Sequence, residues 1–274
     1  MKILYYDCFA GISGDMNLGA MIDLGVESEY LKHELSKLNI DDEFEIQVKK
    51  DNRKGISGTK VDVILCNNEH MKEYAHKHSS GAEHSHGHSH EHSQLQKKVH
   101  NHEHRNLTSI EKIIDDSQLN ENIKLISKNI FLQVAKAEAK VHDKDLYEVH
   151  FHEVGATDSI VDIVGAAICI DYLKIDRVIS SSVEVGSGFV KCAHGLMPVP
   201  APATSEILTG IPIISGKIKY EATTPTGAAI LASLVDEFTD SKDFIIEKTA
   251  YGIGNKDEEI PNVLRVFLAK KKLK

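Results

Sequence analysis

The stretch that decides the fold is KILYYDCFAGISGDM, which occupies residues 2–16. Its first half, residues 2–8, is the apolar run of a buried strand, and two glycines interrupt that run soon afterwards. Apolar side chains then recur at helical spacing over residues 16–24, until a glycine ends the pattern. A strand that leads at once into a helix predicts an α/β protein.

Strands and helices alternate along the rest of the chain. Alternating apolar and polar residues at 43–50 and 59–65 predict two strands joined as a hairpin. Apolar periodicity predicts helices at residues 27–38, 107–116, 120–141, 158–173, 201–208 and 226–238, and further strands at 177–185, 244–251 and 262–269. This interleaving predicts an α/β fold with a mixed sheet.

One segment departs from this pattern because it is rich in histidine. Between His70 and His104 the chain carries 11 of its 16 histidines, with Ser, Gly, Glu and Lys between them and few apolar residues. Such a segment cannot bury enough surface to offset the entropy of ordering it, so we expect a disordered insertion over residues 70–106. The insertion would divide the chain into an N-terminal α/β segment, residues 1–69, and the remainder of the domain, residues 107–274.

The alternating histidines of this insertion also have a chemical interpretation. Neutral imidazoles bind late first-row divalent ions, and the absence of paired cysteines favours nickel or zinc. We therefore interpret the segment as a metal reservoir rather than a catalytic site, since a disordered loop offers no fixed geometry. The alternative is a solvated linker without a role.

Composition excludes several classes of partner. The 274 residues carry a formal charge of −9, which argues against nucleic acid as a partner. No stretch of about 18 apolar residues occurs, so we expect no membrane span. The chain begins without the apolar region of a signal peptide, and its four cysteines include no CxxC pair. We expect a cytoplasmic protein with reduced thiols.

The segment HFHEVG, residues 150–155, is the most informative short motif. In an extended segment, residues two apart project to the same side, so His150 and His152 would face one site. Glu153 follows them at once. Two imidazoles and a neighbouring carboxylate predict a site for a divalent metal ion.

Further candidate ligands come from the apolar helix that follows and from a later loop. Asp158 could serve as the N-cap of this helix or as a ligand, and Asp162 lies one turn further on the same face. Asp162 is the harder of the two to explain structurally, because an unpaired carboxylate inside an apolar helix is costly. His194, in a loop bounded by glycine, is a third candidate.

Two turns between strands and helices carry glycine and hydroxyl side chains. The first contains Asp7 and Asp15, which suit a hydrated cation or an acid–base role. The second is the segment TTPTGAA at residues 223–229. Backbone NH groups at such turns suit a phosphate or a carboxylate, and turns of this kind line the ligand cleft of open α/β sheets.

Four motifs together resemble the LarC nickel-insertion family. They are DCFAGISGDM at residues 7–16, HFHEVGATDSIVD at 150–162, PVPAPAT at 198–204 and TPTGA at 224–228, and they occur in the order of the family. The resemblance extends from residue 7 to about residue 265, nearly the whole chain. Full-length members continue into a further C-terminal domain with a CTP site, so the resemblance implies that this chain corresponds to the N-terminal part.

The resemblance implies a nickel chelatase of the lyase class. Its reaction would insert Ni²⁺ into pyridinium-3,5-bisthiocarboxylic acid mononucleotide and give the nickel pincer nucleotide, the cofactor of lactate racemase-type enzymes. Family members use CTP with Mg²⁺ or Mn²⁺. The implied partners are the nucleotide substrate, nickel, a chain with the C-terminal domain, a nickel-dependent racemase and a second copy of the chain in a homo-oligomer, but no nucleic acid and no membrane.

This chemistry assigns roles to the candidate residues. Metal ligands would be His150, His152, Glu153, Asp158, Asp162 and His194, and the catalytic acids and bases would be Asp7, Asp15 and Glu153. The phosphate of the substrate would lie against Gly11, Ser13, Gly14, Thr224, Thr226 and Gly227.

Two other functions fit the same residues. One is a nickel storage or delivery protein that acts through its histidine-rich loop, and the other is a metal-dependent hydrolase. Deletion of residues 70–104 separates the first from a chelatase, because only a storage protein would then lose its role. A nickel–thiocarboxylate product, as opposed to phosphate released from simple esters, separates the second.

Overall fold

The computed structural model of the chain describes residues 1–66, 105–149, 151, 154–192 and 194–272. The predicted histidine-rich insertion therefore lies outside the described residues, except for its last two. Arg105 and Asn106 belong to the folded chain: the guanidinium of Arg105 bonds the carboxylate of Glu43 at 2.7 Å, and Asn106 caps a helix. Disorder of the insertion stays a prediction.

The described residues form seven helices and eleven strands. The helices are α1 Gly14–Leu24, α2 Ser28–Ser36, α3 Leu107–Asp116, α4 Glu121–His142, α5 Thr157–Leu173, α6 Pro202–Ile207 and α7 Pro225–Leu234. The strands are β1 Lys2–Asp7, β2 Phe44–Arg53, β3 Ile56–Leu65, β4 Arg177–Ser180, β5 Val183–Glu184, β6 Phe189–Cys192, β7 Gly195–Pro198, β8 Ile213–Ile214, β9 Glu237–Phe238, β10 Phe244–Ile253 and β11 Val263–Lys271.

Seven of these strands form one mixed sheet in the order β2-β3-β10-β11-β1-β4-β9. The strand β1 pairs in parallel with β4 and antiparallel with β11, and β2 and β3 form the predicted antiparallel hairpin. Because β3 also pairs with β10, the chain before and after the predicted insertion contributes to the same sheet. The predicted α/β class with a mixed sheet is confirmed.

The main core lies between the sheet and the helices. The helix α1 packs on β3, β10 and β11, α5 packs on α1, and α4 packs on α5 and α7. Alternation along β1 directs Leu4 and Tyr6 into this core, whereas Ile3 and Tyr5 pack in a smaller cluster on the opposite face. Within the described residues, no helix is long and apolar enough to cross a membrane.

The predicted boundaries of two elements were wrong. The strand predicted at 177–185 divides into β4 and β5, because the chain leaves the sheet where Ser182 donates its backbone NH to Asp240. The helix predicted at 226–238 ends at Leu234. The carboxylate of Asp236 then accepts a hydrogen bond from the backbone NH of Val178, and the chain joins the sheet as β9. Short strands such as these contain too few residues to show a period.

All four cysteines lie in the described part of the chain. Cys8 and Cys169 are buried, Cys66 and Cys192 are half-buried, and each is a free thiol. Burial raises the pKa of Cys8 to about 12, so this thiol stays protonated and behaves as a small apolar side chain of the core.

Candidate functional site

A polar cleft lies beyond the carboxyl end of β1, where the helices α1, α5 and α7 begin. Its volume is about 390 Å³. The lining residues are Ser13, Gly14, Asp15, Val61, Asp62, Val63, Val154, Asp158, Ser159, Asp162, Glu221, Thr224, Pro225, Thr226 and Asn255. We call this space the carboxylate lobe, because five of these side chains are acidic and none is Lys or Arg.

A second space of about 500 Å³ adjoins the carboxylate lobe, and we call it the outer lobe. The two lobes share a wall, formed by Ser13, Asp15, Glu221, Thr224 and Asn255. A ligand that fills both lobes would therefore pass over the first turn of α1.

Asp162 is the residue of the carboxylate lobe with the most unusual surroundings. It lies on α5 and lines the lobe, yet its Oδ1 atom is buried and has no hydrogen-bond partner among the described residues. Burial, and then the charges of Asp15 and Asp158, raise the pKa of Asp162 well above its ordinary value. An uncompensated carboxylate of this kind is costly unless a proton or a cation neutralises it.

The position of Asp162 depends on a glycine at the start of α1. A Cβ atom at Gly14 would lie only 2.1 Å from the Oδ2 atom of Asp162. Any larger residue at this position would displace the carboxylate. Gly14 was predicted to contact the substrate phosphate; it does line the lobe, but its evident effect is to admit Asp162.

Asp15 lies in the first turn of α1, at the wall between the lobes. Its carboxylate accepts a hydrogen bond from the Ser13 hydroxyl and a second one, at 3.3 Å, from the amide of Asn255. Burial raises the pKa of Asp15, despite the opposing effect of the hydrogen bond from Ser13. The Ser13 hydroxyl, predicted to bind substrate, thus already donates to a neighbouring side chain.

Asp158 was expected to be an N-cap or a ligand, and the structure excludes the cap. The N-cap of α5 is Ala156, and Asp158 lies within the first turn. Its Oδ1 atom accepts from the backbone NH of Ser159 at 2.8 Å. The second oxygen of this carboxylate is available for a ligand in the lobe. Asp158 is close to Asp162 in sequence and in space.

The turns around residues 11 and 224 pack directly against each other. A Cβ atom at Gly11 would lie 2.0 Å from the carbonyl oxygen of Ala222, and one at Gly227 would lie 2.2 Å from that of Ile12. Both glycines therefore permit close packing, and neither lines a lobe. The Thr224 hydroxyl caps α7 by accepting from the backbone NH of Gly227 at 3.2 Å.

Of the six residues predicted to hold the substrate phosphate, four line the carboxylate lobe. They are Ser13, Gly14, Thr224 and Thr226. Because the NH group of Gly227 is already bonded, the N-terminus of α7 has one donor fewer for an anion.

Asp7 was predicted to act in catalysis, but it does not line either lobe. Alternation along β1 places it on the face of Ile3 and Tyr5, away from α1. There its Oδ2 atom accepts two hydrogen bonds from the guanidinium of Arg265, at 2.5 and 2.9 Å. The structure thus places Asp7 in a largely buried ion pair.

The Asp7→Asn substitution is expected to lower stability without lowering activity of the folded protein. Breaking a buried pair costs about 3–5 kcal/mol. Since Arg265 is 36% exposed, we expect about 2 kcal/mol here. Urea unfolding measures the loss, and nickel insertion per folded molecule should not change. A large loss of activity in folded protein would contradict this assignment and restore a catalytic role.

His194 lies in a separate pocket of about 230 Å³, together with Glu138, His142 and Cys192. The rings of His142 and His194 are 4.8 Å apart, and the Nε2 atom of His142 is 3.2 Å from the Oε2 atom of Glu138. Of the residues that the structure describes, Pro225 alone lines both this pocket and the carboxylate lobe. The structure therefore does not bring His194 to Asp158 and Asp162.

The remaining predicted ligands, His150, His152 and Glu153, lie outside the described residues. Their described neighbours Phe151 and Val154 are buried, and Val154 lines the carboxylate lobe. Within the described ranges, no three His, Cys, Asp or Glu side chains approach closely enough to hold a metal ion. A complete ligand set therefore stays a prediction.

Sequence reasoning missed three residues of the carboxylate lobe that have charged or amide side chains, namely Asp62, Glu221 and Asn255. Asp62 alternates with the apolar residues of β3, and its carboxylate pairs with Lys60 at 2.6 Å. The backbone at Glu221 is held beside the site by an isolated β-bridge to Gly186. Of the three, Asp62 alone carried a signal in the sequence, as a charge inside an apolar strand.

Comparison with known proteins places the chain among nickel insertion proteins. A family model described as "Nickel insertion protein" matches residues 4–274. The chain is 66% identical to the "Pyridinium-3,5-bisthiocarboxylic acid mononucleotide nickel insertion protein" of Clostridium acetobutylicum over 98% of its own length and 64% of that protein. It is 59% identical to the protein of the same name from Clostridium kluyveri, covering 98% of the chain and 62% of that relative.

A more distant relative with this name, from Akkermansia muciniphila, is 43% identical over 98% of the chain and 60% of that protein. The chain thus spans less than two thirds of the length of these relatives. No solved structure has a significant match to it.

Proposed function

Because the chain belongs to the nickel insertion protein family, we propose that it inserts nickel into pyridinium-3,5-bisthiocarboxylic acid mononucleotide. The observation that carries the proposal is the group of Asp15, Asp158 and Asp162 around one lobe. One oxygen of Asp162 is buried there without a hydrogen-bond partner among the described residues. Nickel is a substrate in this reaction, and the nickel pincer nucleotide is its product.

The lining of the lobe suits transient binding of a divalent ion. An insertion site must hold nickel and then release it to two sulfur atoms and a ring carbon. Carboxylate oxygens bind nickel less tightly than thiolates do, so the ion can leave. We propose that Asp158 and Asp162 contact the ion, together with His150, His152 and Glu153, which are retained as proposed ligands. We place the CTP site of the family, with its Mg²⁺ or Mn²⁺, in the C-terminal domain of the relatives and not in this lobe.

Insertion also requires a proton acceptor. The ring C–H bond breaks, its electron pair forms the nickel–carbon bond, and one proton leaves. We propose Asp15 as the acceptor because it lies on the wall of the lobe, in the first turn of α1. Burial raises the pKa of Asp15, which makes this carboxylate a stronger base than an ordinary aspartate.

The product would serve a nickel-dependent racemase of the lactate racemase type. We propose delivery of the finished nucleotide to such an enzyme as the final use of the product. This part of the proposal rests on the resemblance alone.

Loss of an isotope from the ring tests the proposed reaction. The substrate is deuterated at the ring carbon that binds nickel. It is mixed with a molar equivalent of the chain, Ni²⁺, CTP, Mg²⁺ and the C-terminal part of the Clostridium acetobutylicum relative that the chain does not cover. We expect mass spectrometry to show a product that has gained nickel and lost the deuterium. The full-length Clostridium acetobutylicum relative serves as the positive control. Nickel bound to the chain without loss of deuterium would contradict the proposal and favour storage.

A further inference from the structure

Charges are distributed unequally between the two lobes of the cleft. The carboxylate lobe is lined by acidic side chains and, among the described residues, by no Lys or Arg. The outer lobe shares Asp15 and Glu221 with the carboxylate lobe, but it is also lined by Lys191, from β6, and by Lys256, which follows β10. A ligand with a positive end and a negative end would therefore have one preferred orientation in the cleft.

Neither lysine of the outer lobe forms an ion pair in the described part of the chain, although Asp15 and Glu221 line the same lobe. Their ammonium groups are exposed and form no ion pair or hydrogen bond with other described residues. Lys60, behind the carboxylate lobe, differs in this respect. Its Nζ atom is 2.6 Å from Asp62 and 2.5 Å from the side-chain oxygen of Asn255. The ammonium group of Lys60 is thus neutralised beside the carboxylate lobe, whereas those of Lys191 and Lys256 are available to a ligand in the outer lobe.

A third donor lies in the wall of the outer lobe. The hydroxyl of Tyr220 is buried and has no hydrogen-bond partner among the described residues. Burial raises the pKa of this hydroxyl, so it keeps its proton and can donate. The lobe therefore combines two ammonium groups with a phenol, which is a donor set suited to a phosphate.

We propose that the outer lobe binds the phosphate of a pyridinium mononucleotide through Lys191 and Lys256, so that the cationic ring lies in the carboxylate lobe. The inference rests on the proposed function, whose substrate carries both groups. A phosphate in the carboxylate lobe would face three acidic side chains that the outer lobe lacks, whereas these side chains would attract the pyridinium ring. They are Asp62, Asp158 and Asp162. We therefore propose the two lysines as the phosphate site, in place of the glycine and threonine turns that the sequence predicted.

Nicotinic acid mononucleotide and nicotinic acid riboside test this placement, because they differ only in the phosphate. Calorimetry should show that the chain binds the mononucleotide more tightly than the riboside. We expect Lys191→Ala with Lys256→Ala to weaken mononucleotide binding about 100-fold, about tenfold for each lysine, without changing riboside binding. Added salt should weaken mononucleotide binding to the original chain and have little effect on the double variant.

The matched control is Lys136→Ala, which removes an exposed lysine from α4, remote from both lobes. It should leave both affinities unchanged. The inference is overturned if the double variant binds the mononucleotide normally, or if it loses the same factor for both probes. Failure of the proposed function has a separate readout. In that case the substrate keeps its ring deuterium even with the original chain, in which both lysines are present.

Discussion

Replacing Asp162 by asparagine is expected to lower the rate of nickel insertion about 100-fold or more, while the folded chain becomes more stable at neutral pH. Activity falls because the variant loses a carboxylate that we propose as a nickel ligand in the lobe. Stability rises because the variant no longer carries an uncompensated charge, whose Oδ1 atom is buried without a described partner. Opposite changes in activity and stability are typical of a residue retained for function.

The pH dependence of stability follows from the raised pKa of Asp162. In the unfolded chain this carboxyl titrates near its ordinary value of about 4, whereas in the folded chain it titrates at higher pH. Between these two values the folded state binds more protons than the unfolded state. This carboxyl therefore makes the folded chain less stable as the pH rises through that window, and asparagine removes the effect.

Urea unfolding of both proteins from pH 4 to pH 8 measures this difference. The stability gained by Asp162→Asn should increase with pH across the series. Asp116→Asn, at an exposed position at the end of α3, is the matched control and should show no such increase. A pH dependence identical in the original chain and in Asp162→Asn would show that Asp162 titrates normally.

Replacing Gly252 by alanine is expected to give the largest loss of stability among single glycine substitutions near α1. A Cβ atom at Gly252 would lie 1.7 Å from the carbonyl oxygen of Met16 and 2.7 Å from the backbone nitrogen of Ala20. Both are backbone atoms of α1, so no side chain can rotate away and the helix must leave the sheet. We expect a loss of about 3 kcal/mol in the free energy of unfolding.

The control for Gly252→Ala is Gly210→Ala, where a Cβ atom would meet nothing within 4 Å but φ is +84°. This variant isolates backbone strain, which costs about 1 kcal/mol. Equal losses in the two variants, measured by urea unfolding, would contradict close packing of α1 on β10. Because α1 carries Asp15, Gly252→Ala should also reduce nickel insertion in the protein that remains folded.

The sequence predicted the elements around the cleft because their signals are local. The strand β1 is a continuous apolar run, and the helices α1 and α5 carry apolar side chains at helical spacing. The position of Asp162 one turn after Asp158 also follows from helix geometry alone. These signals were sufficient to predict an acidic site near the start of two helices.

The face on which Asp7 lies could not be predicted in the same way. Residues 3–6 of β1 are all apolar and all buried, so alternation does not indicate which side meets α1. The ion pair with Arg265 joins residues 258 positions apart, and no local pattern indicates it. Asp7 was predicted to be catalytic because it belongs to the turn between β1 and α1, but its carboxylate lies on the face of the sheet away from α1.

The outer lobe was missed because its residues are assembled by long-range packing. Lys191, Tyr220 and Lys256 lie in three separate segments, two of which are short or irregular. The chain just before Lys191 meets the residue next to Tyr220 through an isolated bridge between Gly186 and Glu221. Such bridges are set by the tertiary fold, and a pattern over neighbouring residues does not contain them.

The central claim is that nickel is handled at the carboxylate lobe. Its most direct test is anomalous scattering at the nickel edge from crystals of the chain grown with Ni²⁺. We predict a nickel peak about 2.1 Å from a carboxylate oxygen of Asp158 or Asp162. Nickel found only elsewhere, for example between His142 and His194, would contradict the claim.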